Sequence, residues 1–289
     1  MRPICPKCSF EQKLGSRSVK TGSYFRSSDG QKIQRYECLA CKKGFSSATW
    51  HECYRQKKRQ LNEPLRKLLA NLVSQRSAAR ILKINRKTIA RKNIFIGVKS
   101  EFLFRKGIIR GPKAKCVEFD DLETFEHTKC KPLSITLAVE TGTRRILGLE
   151  VSVMRAKGLL VEKARKYGPR IDDRRAGRRR LFRKIGPYVQ EGADIKSDEN
   201  PHYPKDVKKF FPNSRHRRFP GKRGSLGGQG ELKKVGFDPL FSLNHTCAMF
   251  RAHVNRLIRK TWCTTKNPER LYNHLMIYAH YHNEQLKMQ

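Results

Sequence analysis

The stretch KCVEFDDLETF, residues 115–125, alternates Val117 and Phe119 on one face and then turns acidic at Asp120. Alternation with period two marks a strand with one face in a core. PLSITLAVETG (132–142) and RRILGLEVSVM (144–154) follow with the same β-branched character, and Thr141-Gly142-Thr143 between them suits a hairpin connection. Downstream, LLVEKARKY (159–167) reads as a helix and ADIKSDENP (193–201) as a short strand ending at a proline. Residues 244–262 and 268–283 read as late helices. Strands, a helix, a further strand and then helices predict an α/β domain over 111–289. Residues 215–230, basic and punctuated by Pro and Gly, are expected to leave that domain as a basic insertion near 205–235.

The whole chain has 289 residues, with 64 Lys+Arg against 25 Asp+Glu, a formal charge of +39. Such a surface repels itself unless a polyanion neutralises it, so nucleic acid is the expected partner. At 37% hydrophobic residues the chain can still bury a core, which excludes wholesale disorder. No apolar run is long enough to span a bilayer, and MRPICPKCSFEQK lacks the apolar centre of a signal peptide. A cytoplasmic, nucleoid-associated protein without a membrane partner is expected, with reduced cysteines.

Cys5-Pro-Lys-Cys8 and Cys38-Leu-Ala-Cys41 form two CxxC pairs. Four thiolates at this spacing suit one tetrahedral Zn²⁺, with the segment 22–38 and its Asp29-Gly30 turn as a hairpin between them. Residues 1–55 are therefore expected to be a zinc ribbon. Four sulfurs fill the coordination shell, so the role is structural. Cys116, Cys130, Cys247 and Cys263 read as packing residues.

Residues 77–92 fit a helix-turn-helix within a DNA-binding domain spanning 56–105. Ser77 and Asn85 are the expected N-caps, Ala79 the close-crossing residue, and Leu82, Ile84 and Ile89 the shared core. Arg86, Lys87, Arg91 and Lys92 are expected on the outer face, toward a major groove. Lys83 stands where a left-handed glycine is common in the turn, at a cost of about 1–2 kcal/mol.

Carboxylates are scarce here, so Asp120 and Asp198 at strand ends carry information. Two aspartates on neighbouring strands suit a pair of Mg²⁺ ions; alone, they also suit solvated turns or arginine partners. In 243–262, Leu243, Cys247, Phe250, Val254 and Leu257 recur at helical spacing as core. Asn244, Arg251, Asn255 and Arg259 share the adjoining polar face. The runs Arg174-Arg175 and Arg178-Arg179-Arg180 read as a DNA-binding stretch or a solvated basic loop.

CPKC, RYECLACKKGFS, VEFDDLETF, IKSDENPHYP and the terminal RLIRKTW, in this order, resemble a bacterial insertion-sequence transposase of the DDE superfamily. The likeness is to the small group with an N-terminal zinc ribbon and a variable third catalytic residue. It touches almost the whole chain. The resemblance implies a ribonuclease-H-like catalytic domain with metal ligands on the first strand, the fourth strand and a late helix. These fall on Asp120, Asp198 and Asn244, with Asn244 replacing the common glutamate; His245, Glu231 and Asp238 are the substitutes. It implies Mg²⁺-dependent cleavage and joining of double-stranded DNA at element ends by a homo-oligomer, with Arg251 and Arg259 positioning the strand. Two rivals stand beside it. One is a catalytically inactive zinc-ribbon and helix-turn-helix regulator derived from a transposase; the other is a basic RNA-binding protein, for which no KH or RRM signature is present.

Overall fold

The computed structural model describes residues 3–11, 17–220, 238–258 and 263–288. The chain divides into two compact units, Met1–Pro64 and Leu65–Gln289.

The first unit opens with the short helix α1 (Pro6–Phe10), begun by proline at its first position. Strands β1 (Ser18–Arg26), β2 (Gln31–Cys38) and β3 (Gly44–Ser46) form an antiparallel sheet in that order. The β1–β2 turn contains Gly30 at φ 68°, and Arg26 Nε donates to Asp29 Oδ1 at 2.6 Å. That turn returns β2 so that Cys38 ends opposite Ser18.

The second unit begins around α2 (Asn62–Ala70), which is followed by α3 (Gln75–Ile81) and α4 (Arg86–Arg110). Asn85 caps α4 through Lys87 N–H, which donates to Asn85 Oδ1 at 2.8 Å. The cap of α3 is Ser74 rather than Ser77: the Ser77 N–H donates to Ser74 Oγ at 3.1 Å. The helix therefore starts three residues earlier than expected, and Ala78, fully buried, takes the close crossing instead of Ala79. Lys83 sits in the turn at φ 50°, so it does carry the left-handed strain. Helix α4 does not stop at the recognition segment. Ile89, Asn93, Ile96, Ser100, Phe104 and Ile108 keep one buried stripe along this 25-residue helix. At Gly97 the chain of α9 (Pro268–Leu286) comes so near that a Cβ would lie 2.5 Å from Asn273 Cβ.

Between these helices lie β4 (Ala114–Phe125), β5 (Pro132–Glu140), β6 (Ile146–Val153), α5 (Leu160–Ala164), α6 (Arg174–Ile185), β7 (Val189–Asp198), α7 (Tyr203–Phe210), β8 (Arg215–Phe219) and α8 (Phe241–His253). The five strands of this unit form one mixed sheet in the order β6-β5-β4-β7-β8. The β4–β5 and β5–β6 pairs are antiparallel, and β4–β7 and β7–β8 are parallel. Residues of β5 are buried from Leu133 to Val139, as a central strand covered on both faces requires. Phe119 points to one face, 4.9 Å from Phe182 of α6 and 4.8 Å from Tyr203 of α7 between ring centroids. Glu118 points to the other, where the N-terminus of α8 sits.

Three expectations change. Residues 203–219 are not an insertion: α7 buries Tyr203 and Val207 in the core, and β8 completes the sheet. The rest of that basic stretch, 221–235, falls outside the described residues. The late helix ends at His253, because Val254 is extended at φ −104°, ψ 101°, and Asn255 is buried at 6% exposure in a short 3₁₀ turn. The polar face from Asn244 to Arg259 therefore breaks before Asn255, and Arg259 itself lies outside the described residues. The arginines of 174–180 form a helix and are held by carboxylates. Asp206, fully buried, is 2.6 Å from Arg178 and 2.8 Å from Arg179, and Arg175 lies 3.7 Å away. Arg180 meets Glu150 and Asp173, both at 2.9 Å, and Arg174 meets Asp172 at 2.6 Å. Burial pushes the Asp206 carboxyl up, but hydrogen bonds from Arg179 and Arg178 outweigh it and hold the group below the usual carboxylate range. Arg178 is buried within this ion network, while Arg175 stays exposed at its edge.

Candidate functional site

The parallel ladder between β4 and β7 pairs Val117 with Ile195 and Glu118 with Lys196. Carried two residues further, the same register sets Asp120 beside Asp198, the last residue of β7. Neighbouring strands lie about 4.8 Å apart and laterally paired residues project to one face, so the two carboxylates share a site. The end of β7 is shaped locally: the Asn200 N–H donates to Asp198 Oδ1 at 3.0 Å, turning the chain into Pro201 and α7. That turn returns Tyr203, whose hydroxyl donates to Asp120 Oδ1 at 3.0 Å.

The electrostatics agree with the register. Burial, with the Asp198 charge beside it, pushes the Asp120 carboxyl up to about 7. Tyr203 has its phenol raised by burial and by the charges of Asp121, Asp120 and Asp198. One of the two aspartates is thus poorly able to stay charged in the absence of a cation.

Helix α8 covers this face. Its Leu243 N–H donates to Glu118 Oε2 at 2.8 Å, and Ser242 Oγ accepts from the Gly142 N–H of the β5–β6 turn. Glu118 is buried at 1% exposure; its carboxyl is raised by burial, opposed by the Leu243 hydrogen bond. The pair anchors the start of α8 over β4. One turn along, Cys247 is near enough for the Asp120 charge to act on it, and its thiol, pushed up to about 12 chiefly by burial, stays protonated. Asn244 lies on the same helical stripe as Cys247 but is exposed, and its Nδ2 donates to Asp238 Oδ2 at 2.8 Å. Arg251 shares that stripe, half-buried, and its charge acts on Cys247. His245 faces away, 3.3 Å from Arg144 Nη1, and Glu231 lies outside the described residues.

Of the residues singled out from sequence, Asp120 and Asp198 come together. Glu118, Tyr203 and Cys247 were missed. Glu118 sits at the polar position of the Val117–Phe119 alternation, so no signal in the sequence marks it as buried; the packing of α8 over it decides that.

In the first unit, Cys5, Cys8 and Cys38 are buried and Cys41 is half-buried; their sulfurs all lie within 4.8 Å of one another, a group able to hold a metal ion. The Cys5–Cys41 sulfurs are 3.6 Å apart and the Cys8–Cys38 sulfurs 3.7 Å. Backbone hydrogen bonds, led by the one from Cys41, lower the Cys38 thiol to about 7. On α4, Arg86, Lys87 and Arg91 are exposed as expected of a recognition face. Lys92 is not: it is buried at 5% exposure, because it falls between Ile89 and Ile96 on the stripe that α4 keeps facing inward. It is withdrawn from the candidate DNA contacts. No helix among the described residues is long and apolar enough to cross a membrane.

No protein-family model matches the chain, and neither does any curated protein.

Proposed function

We propose that the chain is a DNA transposase of the DDE type. On this reading it binds the ends of an insertion element and cleaves and joins strands by metal-dependent phosphoryl transfer. The observation that carries the reading is the approach of Asp120 and Asp198 just past the β4–β7 parallel ladder, near enough for the Asp198 charge to raise the Asp120 carboxyl. The resemblance in the sequence asks for ligands on the first strand, the fourth strand and a late helix of a ribonuclease-H-like domain. In support, the first strand of the five-stranded sheet is β4, the fourth is β7, the two are neighbours, and α8 covers the same face.

The donors fit Mg²⁺. The cation takes oxygen ligands and keeps several waters, so two carboxylates suffice. Cys247, held protonated, offers no soft thiolate to compete. A bound pair of ions would supply nucleophile activation and leaving-group stabilisation. Asp120 and Asp198 would hold them, with the Tyr203 hydroxyl, which donates to Asp120 Oδ1, orienting that carboxylate. Asn244, which now donates to Asp238, would be the third ligand. Arg251, further along the same stripe, meets the DNA backbone.

In the N-terminal unit the bound metal is Zn²⁺. A tetrahedron with 2.3 Å zinc–sulfur bonds has edges of about 3.8 Å, close to the sulfur spacings of the cysteine group. Arg86, Lys87 and Arg91 enter the major groove of the element end. The protein works in the cytoplasm on nucleoid DNA, as more than one subunit, since two ends must be paired.

Asn244's engagement with Asp238 favours the alternative of an inactive DNA-binding regulator. One experiment separates them: purified protein is incubated with Mg²⁺ or Mn²⁺ and a supercoiled plasmid carrying the sequences that flank its coding region. Nicked circles that disappear with Asp198→Asn are the expected result. Binding to the flanks without nicking by either metal would leave the regulator.

A further inference from the structure

The face that carries Asp120 and Asp198 continues beyond them onto the edge strand. Along β8 the parallel register pairs Arg215 with Asp194, Arg217 with Lys196 and Phe219 with Asp198. Laterally paired residues share a face. His216 confirms the division: paired with Ile195, it stacks 6.3 Å from Phe119 on the opposite face. Arg215, Arg217 and Phe219 therefore form a row at every second residue, about 6.7 Å apart, that ends next to the carboxylate pair.

Phe219 is unusual within that row. It is half-buried, yet among the described residues it neither joins the side chains packed on the core nor stacks on another ring. Arg215 is exposed, and Arg217 is exposed while held 2.5 Å from Asp194, which fixes its direction along the strand. Arg215 has no carboxylate partner among the described residues. An aromatic ring with an open face, cations behind it and paired carboxylates beside it is the combination that binds a nucleic-acid strand with an unstacked base.

We infer that β8 is a platform for an unpaired DNA strand. The base next to the phosphate at Asp120 and Asp198 stacks on Phe219, while Arg217 and Arg215 meet the phosphates that follow. A base inside a duplex has both faces stacked on its neighbours, so the ring accepts it only after the end has frayed. The platform thus selects opened ends for cleavage, a selectivity that the helix-turn-helix, which reads intact duplex, does not supply. The inference rests on the transposase reading, and its test keeps the two apart.

Full-length protein is titrated, at low salt and without added Mg²⁺, with an oligothymidine single strand and with a mixed-sequence duplex of equal length. Phe219→Ala is expected to weaken single-strand binding by about 5- to 100-fold while duplex binding changes less than about twofold. Phe219→Leu, which refills the volume without a π-face, behaves like Ala, and Phe219→Tyr like wild type. Equal losses on both probes, or rescue by Leu, would overturn the stacking role. Single-strand preference that vanishes with Phe219→Ala, in a protein that never nicks plasmid, would uphold the platform and overturn the enzyme.

Discussion

Stripping the metal proposed for the four-cysteine group is expected to unfold the N-terminal unit and to leave the second unit folded. The reason is the size of its core. Among its described residues, apart from Cys5, Cys8 and Cys38, with Cys41 and Phe45 against them, the unit has no hydrophobic cluster of its own. Ile33, Ala48 and Cys53 are buried outside that cluster. A domain this small ordinarily needs a metal or disulfides, and all nine cysteines are free thiols. Without the cation, burial pushes the Cys8 thiol up to about 12, with Cys41 and Cys38 adding to it, so the cluster loses the thiolate that a tetrahedral anchor needs at Cys8. Trp50 reports the change, because its indole N–H donates to the Ile4 carbonyl at 3.1 Å, next to Cys5. Chelator, or Cys38→Ser, is expected to red-shift Trp50 emission and open the segment before Pro64 to protease. The thermal transition of the second unit stays in place. Protection of the first unit in metal-free protein would show that some other contact holds it.

The second large effect is a gain of stability from a loss of function. The Asp120 carboxyl is displaced from 3.8 to about 7 in the fold, by burial first and Asp198 second. The folded state therefore binds this proton more tightly than the unfolded chain does. The stability it brings is fully present below about pH 4 and is lost as pH rises toward 7. At 1.36 kcal/mol per pH unit the loss is on the order of 4 kcal/mol in metal-free protein. Asp120→Asn removes the charge and keeps an acceptor for the Tyr203 hydroxyl. The variant is expected to melt close to wild type at pH 4 and well above it at pH 8, and to cleave no DNA. Equal melting temperatures at pH 8 would mean that Asp120 and Asp198 do not share a desolvated site.

Much of this was readable before the fold was known, for physical reasons that can be named. Val117 and Phe119 alternate because β4 packs its two faces against different helices. Thr141-Gly142-Thr143 marks a turn because Gly142 takes φ 83° there. The cysteine pairs announce themselves by spacing. Asp120 and Asp198 stood out because carboxylates are rare in so basic a chain. Other features depend on partners far away in sequence. That Asp206 and Glu150 pair with the arginines of 174–180, and that Arg178 is buried, depends on residues far along the chain. Lys92 looks exposed if α4 ends early, but its burial follows from the stripe that the helix keeps over its full length. β8 hides as a basic stretch, since an edge strand with one open face can carry Arg215 and Arg217 where a central strand would carry apolar residues. Helix α8 ends early because Val254 and Leu257 are drawn into the core by a 3₁₀ turn, a choice made by packing rather than by periodicity.

The most direct measurement is the binding of Mn²⁺, a paramagnetic stand-in for Mg²⁺, to zinc-loaded protein followed by its electron-spin resonance signal. Wild type is expected to take up the ion in a site that either Asp120→Asn or Asp198→Asn abolishes, while Asp238→Asn leaves it in place. Binding that survives Asp198→Asn unchanged would contradict a site shared by the two strands.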